Sequence, residues 1–149
     1  MSFQWLLAEA QEAPEQPVEF SHSIHAGDNG IPCLYCHSYA RRSTVAGIPS
    51  VARCMGCHKI TANDKPEIQK LASYWQEGKP VEWIRIYDIE DFVYFSHKRH
   101  FRKGIDCSTC HGMVEEMERI YKVQDFTMGF CLDCHREREA SLDCLTCHK

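Results

Sequence analysis

All ten cysteines of this 149-residue chain fall into one repeated pattern. The pattern is Cys-x-x-Cys-His, and its five copies begin at Cys33, Cys54, Cys107, Cys131 and Cys144. Two thiols at i and i+3 lie on one face of a helical turn, where they can bond to the two vinyl groups of one haem, and the next histidine lies under the iron. The pattern therefore predicts five covalently bound haem c groups, so porphyrin faces rather than aliphatic side chains should form most of the core.

The residues expected to hold these haems follow directly from the motif. The thioether bonds are expected at Cys33, Cys36, Cys54, Cys57, Cys107, Cys110, Cys131, Cys134, Cys144 and Cys147, and the proximal iron ligands at His37, His58, His111, His135 and His148. Zinc sites also use Cys-x-x-Cys pairs. Zinc does not require a histidine after every pair, however, and five pairs leave an odd one for four-thiolate sites.

Four histidines remain, and all of them lie in two similar phrases. Residues 20–25 read FSHSIH and residues 95–100 read FSHKRH. Two histidines three residues apart project from one face of a helical turn, so each should reach a different haem. We predict that His22, His25, His97 and His100 are distal iron ligands, with surface or packing histidines as the alternative. Phe20 and Phe95 are expected to pack against a porphyrin edge.

Five haems need five distal ligands, and only four histidines are left for that role. Met128, three residues before Cys131, is the favoured candidate for the fifth ligand. The other candidates are Met55, Met113 and Met117, and a lysine, a residue of a partner or an open position are further possibilities. A core methionine remains the ordinary alternative for each of them.

The two histidine phrases also mark an internal repeat. We predict a first haem module with two haems at residues 18–60 and a second with three haems at residues 92–149. The linker at residues 61–91 should contain a helix that begins after a cap at Asn63 or Asp64 and stops at Gly78, followed by an extended segment, VEWIRIYDI. A further short helix is expected after Cys110, carrying Met113 and Met117.

Composition excludes several other classes of protein. The net charge is −4 and the pI is near 6.1, and the basic residues form only short pairs, so no nucleic-acid partner is expected. No apolar run reaches the eighteen or more residues of a transmembrane helix.

The phrases around the motifs resemble a known family. Paired F-S-H-x-x-H phrases ahead of C-x-x-C-H motifs resemble the class III cytochromes, the c3 and c7 group. Segments such as HAGDNGIPCLYCHSYARRS, VYFSHKRH and TMGFCLDCHRE further resemble the pentahaem cytochrome subunit of alternative complex III, a quinol-oxidising respiratory assembly. The resemblance covers roughly residues 18–138. It implies a small, mostly irregular chain with short α-helices wrapped around five c-type haems, with two c7-like haem modules and few or no strands.

The resemblance also implies a function, partners and a location. Members of that family carry electrons from quinol oxidation through stacked haems to a monohaem cytochrome or a terminal oxidase, and are not themselves enzymes. Their neighbours are an iron–sulfur subunit and polytopic quinol-binding membrane subunits. They lie on the periplasmic side of the bacterial inner membrane and are tethered by an amino-terminal helix.

The start of the sequence does not contain such a helix in full. Haem attachment to this motif normally occurs outside the cytoplasm, so an export element is expected, and the sequence is expected to begin inside the gene product. Residues 1–17 are then a tail or the end of a membrane anchor, with Trp5 at the membrane interface. A disordered tail of a soluble periplasmic protein is the alternative.

Two other functions compete with an electron conduit in a membrane complex. A free periplasmic electron shuttle of the c7 type would carry the same motifs. A multihaem nitrite reductase is weakly supported, because enzymes of that class resemble longer chains and use a Cys-x-x-Cys-Lys motif, whereas all five motifs here end in histidine.

Overall fold

The computed structural model describes residues 13–148, and these residues form short helices joined by irregular segments. The α-helices are α1 (Cys33–Cys36), α2 (Val51–His58), α3 (Pro66–Glu77), α4 (His97–Arg102), α5 (Ser108–His111), α6 (Met128–Glu137) and α7 (Cys144–Cys147). A π-helical turn covers Ser23–Asp28, and 3₁₀ turns cover Ser38–Arg41 and Val114–Glu116. The described residues contain no strand, only an isolated antiparallel bridge between Val93 and His148. The expected class of fold, short helices with few or no strands, is confirmed.

The longest helix is the one predicted in the linker. It ends as expected at Gly78, whose left-handed backbone (φ 66°) closes the helix at no steric cost. The predicted cap at Asn63 or Asp64 is wrong, because Lys65 is the N-cap residue and Pro66 is the first helical residue. Proline favours that first position and disfavours helical backbone in the residue before it. The short helix expected after Cys110 is the 3₁₀ turn Val114–Glu116, and Met113 and Met117 are the cap residues on either side of it.

Few side chains are buried by the protein itself. One cluster contains Val18, Met55, Leu71 and Val81, and Met117 is buried elsewhere. The chain exposes 11497 Å², against about 7,800 Å² for a compact monomer of this mass. Even fully exposed, the thirteen residues outside the described range would add only about 2,200 Å², which is less than the difference. Much surface is therefore left for another component to cover.

The amino-terminal and carboxy-terminal parts of the chain contact each other at two places. The backbone N–H groups of His97 and Lys98, at the start of α4, donate to the carbonyl groups of Thr44 (3.1 Å) and Ser43 (3.0 Å). The N–H of Ser23 donates to the carbonyl of Met117 (3.0 Å). Both FSHxxH phrases are thus held by backbone hydrogen bonds to the other part of the chain.

The segment after α3 also contacts both parts. The ring of Trp83 lies edge-on to Phe20 at 6.5 Å between centroids, and the ring of Tyr87 lies edge-on to His111 at 4.7 Å. Ile84, between them, exchanges two hydrogen bonds with the side chain of Gln16. None of the helices in residues 13–148 is long and apolar enough to cross a bilayer.

Gly27 provides a test of the contact between the two parts. A Cβ atom at this position would lie 2.5 Å from the carbonyl oxygen of Glu115, so we expect Gly27→Ala to destabilise the protein by about 1–3 kcal/mol. Gly56→Ala is the matched control, because nothing lies within 4 Å of its Cβ position and alanine favours a helix by about 1 kcal/mol. Denaturant unfolding of both variants measures the difference, and equal stabilities would contradict the close contact.

Candidate haem sites

Every Cys-x-x-Cys-His motif lies on a helical turn, as the attachment chemistry requires. The motifs coincide with α1, α2, α6 and α7, while α5 begins directly after Cys107. None of the ten cysteines forms a disulfide, and each is exposed or half-buried. Each pair is therefore accessible for bonding to one porphyrin edge.

Seven of the nine histidines form the same kind of hydrogen bond, from the ring nitrogen Nδ1 to a backbone carbonyl. The pairs are His25–Ser21, His37–Gly47, His58–Thr61, His97–Thr44, His100–Ser96, His135–Ser141 and His148–Phe92, at 2.6–3.4 Å. A carbonyl only accepts, so Nδ1 carries the proton and the neutral ring keeps its lone pair on Nε2. This is the tautomer that an iron ligand needs, with the supporting hydrogen bond that fixes the ring.

Three motif histidines each face a histidine of an FSHxxH phrase. The ring centroids lie 5.9 Å apart for His58 and His25, 6.4 Å for His111 and His97, and 6.1 Å for His135 and His100. A metal–imidazole bond of about 2 Å, plus roughly 1.1 Å from nitrogen to ring centre, places two rings on opposite sides of one ion about 6 Å apart. The three spacings therefore fit iron between each pair.

A fourth pair follows from the surroundings of His22. Its Nδ1 is buried without a hydrogen-bond partner. Burial, followed by the nearby His37 and His25, lowers the pKa of His22 to about 4. Of these two neighbours, His25 already faces His58. His37 is thus the motif histidine near His22 that faces no other phrase histidine, and each FSHxxH phrase lies near two motifs.

Phe20 and Phe95 occupy equivalent places in the two phrases. Phe20 stacks on His25 (4.3 Å, 25°) and lies edge-on to His22 (4.8 Å, 85°). Phe95 does the same with His100 (4.4 Å, 28°) and His97 (4.8 Å, 90°). The sequence predicts contact with a porphyrin edge, whereas the structure shows an additional role: each phenylalanine sets the angle between two imidazoles.

The thiols of different motifs are neighbours in a definite order. Burial raises the pKa of Cys54, Cys107, Cys110 and Cys131, and a thiol of another motif contributes next in each case. The neighbours are Cys36 for Cys54, Cys33 for Cys107, Cys134 for Cys110 and Cys147 for Cys131. The motifs therefore follow each other in space as second, first, third, fourth and fifth.

The methionines predicted as alternative ligands differ in burial. Met55 and Met117 are each 5% exposed, and Met55 belongs to the apolar cluster around Leu71. Met113 is 50% exposed and Met128 is 66% exposed. Met128 begins α6, one turn before Cys131, and its role as a ligand stays a prediction.

The aromatic group around His111 was not predicted from the sequence. Tyr87 and Phe126 stack on each other at 5.1 Å and both lie edge-on to the His111 ring. Burial lowers the pKa of His111, with His97 and His37 contributing next. The aromatic residues of the linker were the available signal, but nothing in their spacing indicates which motif they contact.

Comparison with known proteins shows what the chain is similar to. Residues 6–82 match the family described as "Class III cytochrome C family", and residues 93–149 match "Cytochrome c7 and related cytochrome c". A relative from Nitratidesulfovibrio vulgaris (strain Hildenborough), named "Menaquinone reductase, multiheme cytochrome c subunit", is 32% identical over 162 aligned positions. The alignment covers 91% of this chain and 77% of the relative.

Proposed function

The chain belongs to the class III cytochrome c family and carries covalently bound haem c, and from this premise we propose that it is the electron-transfer subunit of a membrane-bound, quinone-linked respiratory complex. The observation that carries the proposal is the relative just described, because a subunit of a menaquinone reductase aligns with nearly the whole chain. The chain is a conduit in this proposal, without a catalytic centre of its own.

We assign five haems to the five motifs. The ten motif cysteines hold them, the five motif histidines are the proximal ligands, and His22, His25, His97 and His100 are the distal ligands of four. Bound haem supplies one-electron chemistry, and the protein supplies position and electrostatics. The backbone carbonyls that accept from Nδ1 keep the imidazoles neutral and oriented, while the aromatic rings of Phe20 and Phe95 fix their angles.

The order of the motifs supports a conduit. Each FSHxxH phrase joins two sites through one short turn, His22 with His25 and His97 with His100. The thiol neighbours Cys33 and Cys107 then connect the two pairs of sites. A single row of this kind would carry electrons from one end of the chain to the other.

Two directions of electron flow are candidates. The resemblance to alternative complex III favours quinol oxidation, with electrons leaving to a monohaem cytochrome or a terminal oxidase. The name of the relative favours the opposite direction, reduction of menaquinone. In both cases the partners are an iron–sulfur subunit and quinone-binding membrane subunits, and the chain lies on the periplasmic side of the membrane. A free periplasmic shuttle is the competing function.

Purification from native membranes tests the proposal. We expect an affinity-tagged chain to require detergent and to bring membrane subunits with it, and mass spectrometry of the denatured chain to show five haems. If the complex oxidises quinol, anaerobic addition of menaquinol should reduce the haems, which absorption spectroscopy detects. If it reduces quinone, haems reduced by a soluble cytochrome should instead be reoxidised by menaquinone. A soluble monomer without partners would overturn the proposal in favour of a shuttle.

A further inference from the structure

We infer that the site formed by Cys144, Cys147 and His148 is the one site of the five without a second imidazole, and that it stands at one end of the row. Its sixth position takes a non-imidazole ligand, either a thioether sulfur or, if open, a diatomic gas. The inference rests on the five-haem assignment in the proposed function, but not on quinone chemistry or on any partner.

The first step is the use of the histidines. The chain has nine, and all of them lie in the part that the structure describes. Six form the three facing pairs given above, each joining one motif histidine to one phrase histidine at 5.9–6.4 Å, and His22, whose buried Nδ1 has no hydrogen-bond partner, lies near His37. Sequence alone shows that one site lacks a histidine; the pairing shows that this site is the fifth.

The second step concerns the residues that surround His148 in place of a phrase histidine. The ring of Phe92 lies beside that of His148, at 5.8 Å and 32°, and the Phe92 carbonyl accepts from Nδ1 at 3.4 Å. The backbone of residues 92–94 holds the motif in place, through the bridge of Val93 to His148 and the bond from the Tyr94 N–H to the Cys147 carbonyl at 2.7 Å. His148 is therefore oriented as the other proximal histidines are, but next to a phenylalanine.

The third step is the position of the site. Cys147 of the fifth motif is a neighbour of Cys131 of the fourth motif. The helix α7 that carries the motif is open to solvent, with Leu145 73% exposed and Leu142 before it 48% exposed. The fifth site therefore stands next to the fourth, at the end of the row.

The consequence is a haem that differs from the other four in spin state or potential. A thioether ligand favours ferrous iron and raises the potential relative to two imidazoles. An open position leaves the iron high-spin and able to bind carbon monoxide. Either property is measurable in the purified holoprotein.

The experiment compares the wild-type holoprotein with two matched double variants. Cys144→Ala with Cys147→Ala removes the fifth attachment site, and Cys54→Ala with Cys57→Ala removes the site at the other end of the row. Mass spectrometry gives the haem count, and near-infrared magnetic circular dichroism with carbon monoxide titration of the reduced protein gives the ligation. In wild type we expect one haem of five with a histidine–methionine band or with one bound carbon monoxide. The signal should be lost in the fifth-site variant and retained in the control.

Met128→Ala identifies the ligand. If wild type binds no carbon monoxide and the variant binds one per chain, the ligand is the Met128 thioether; one bound carbon monoxide in wild type shows an open position.

Five bis-imidazole haems in wild type, or a signal that survives loss of the fifth site, would overturn the inference. If the fifth-site variant does not fold, an experimental structure of the wild-type holoprotein decides the same question by showing one or two imidazoles at His148. A haem count below five would instead contradict the assignment on which the proposed function also depends, while a failed quinone assay would leave this result intact.

Discussion

Replacing His100 by alanine should convert one low-spin haem to a five-coordinate, high-spin haem that binds carbon monoxide when reduced. The reason is the pairing: His100 faces His135 at 6.1 Å, and no other histidine is free to replace it. Loss of an imidazole should also raise the potential of that haem. His97→Ala should have the same effect on a different haem, because His97 faces His111.

The double variant shows whether two different haems are affected. Carbon monoxide titration should give one additional binding site for each single variant and two for His97→Ala with His100→Ala. Arg99→Ala is the matched control, since Arg99 lies on the same helix with an exposed side chain and should leave the spin state unchanged. A double variant with only one additional site would show that both histidines serve one haem, and unchanged spin states would show that neither is a ligand.

The haem motifs can be recognised from the sequence because their chemistry is local. A thiol pair and the next histidine lie within five residues, so Cys33, Cys36 and His37 identify one site without knowledge of the fold. The four histidines outside the motifs could be recognised as candidates by elimination. The end of α3 at Gly78 was equally local, because a left-handed residue closes a helix.

The pairing of ligands could not be predicted, because it depends on distant segments. His97 reaches its position because its own N–H and its Nδ1 both bind the carbonyl of Thr44, fifty-three residues earlier in the chain. The first and third motifs likewise become neighbours through Cys33 and Cys107, although the second motif lies between them in sequence. Tertiary packing, not spacing, sets the order of the row.

The membrane anchor and the division into two haem modules are two expectations that the described structure does not test. The proposed membrane anchor falls mainly on residues 1–12, which are outside the described residues, so it stays a prediction. The division into modules at 18–60 and 92–149 also stays a prediction. The linker between them makes contacts with both parts through Trp83 and Tyr87.

The direction of electron flow depends on the difference in reduction potential between the two ends of the row. Four sites have two imidazoles in our assignment, so their ligands give little difference in potential from one to the next. The fifth site differs, and a thioether there would make it the preferred location of an electron. Measured potentials of the fifth-site variant and of its matched control would therefore show which end of the row holds electrons more tightly.

The chain without haem should not fold into this structure. Replacing all ten cysteines by alanine removes every thioether bond and also prevents disulfides that could trap other conformations. We expect circular dichroism to show much less helix than the holoprotein, and denaturant titration to show no cooperative transition.

The reason is that the protein part provides too little packing of its own. Among residues 13–148, only five hydrophobic side chains are buried, and four of them form the single cluster next to α3. Three of the motif helices, α1, α5 and α7, have four residues each, far below the 12–15 at which isolated helices become even marginally stable. Their backbone should become ordered when the two cysteine sulfurs are bonded to the porphyrin and the imidazole is bound to its iron.

The cluster around Leu71 makes the prediction more specific. Because α3 packs there without any motif except the edge of α2, residual helix in the cysteine-free chain should be confined to residues 66–77. Amide hydrogen exchange can locate it, since protection at α3 alone would agree with this view. Protection in α4 or α6, or a cooperative transition with native helix content, would show that the polypeptide encodes the fold without its haems.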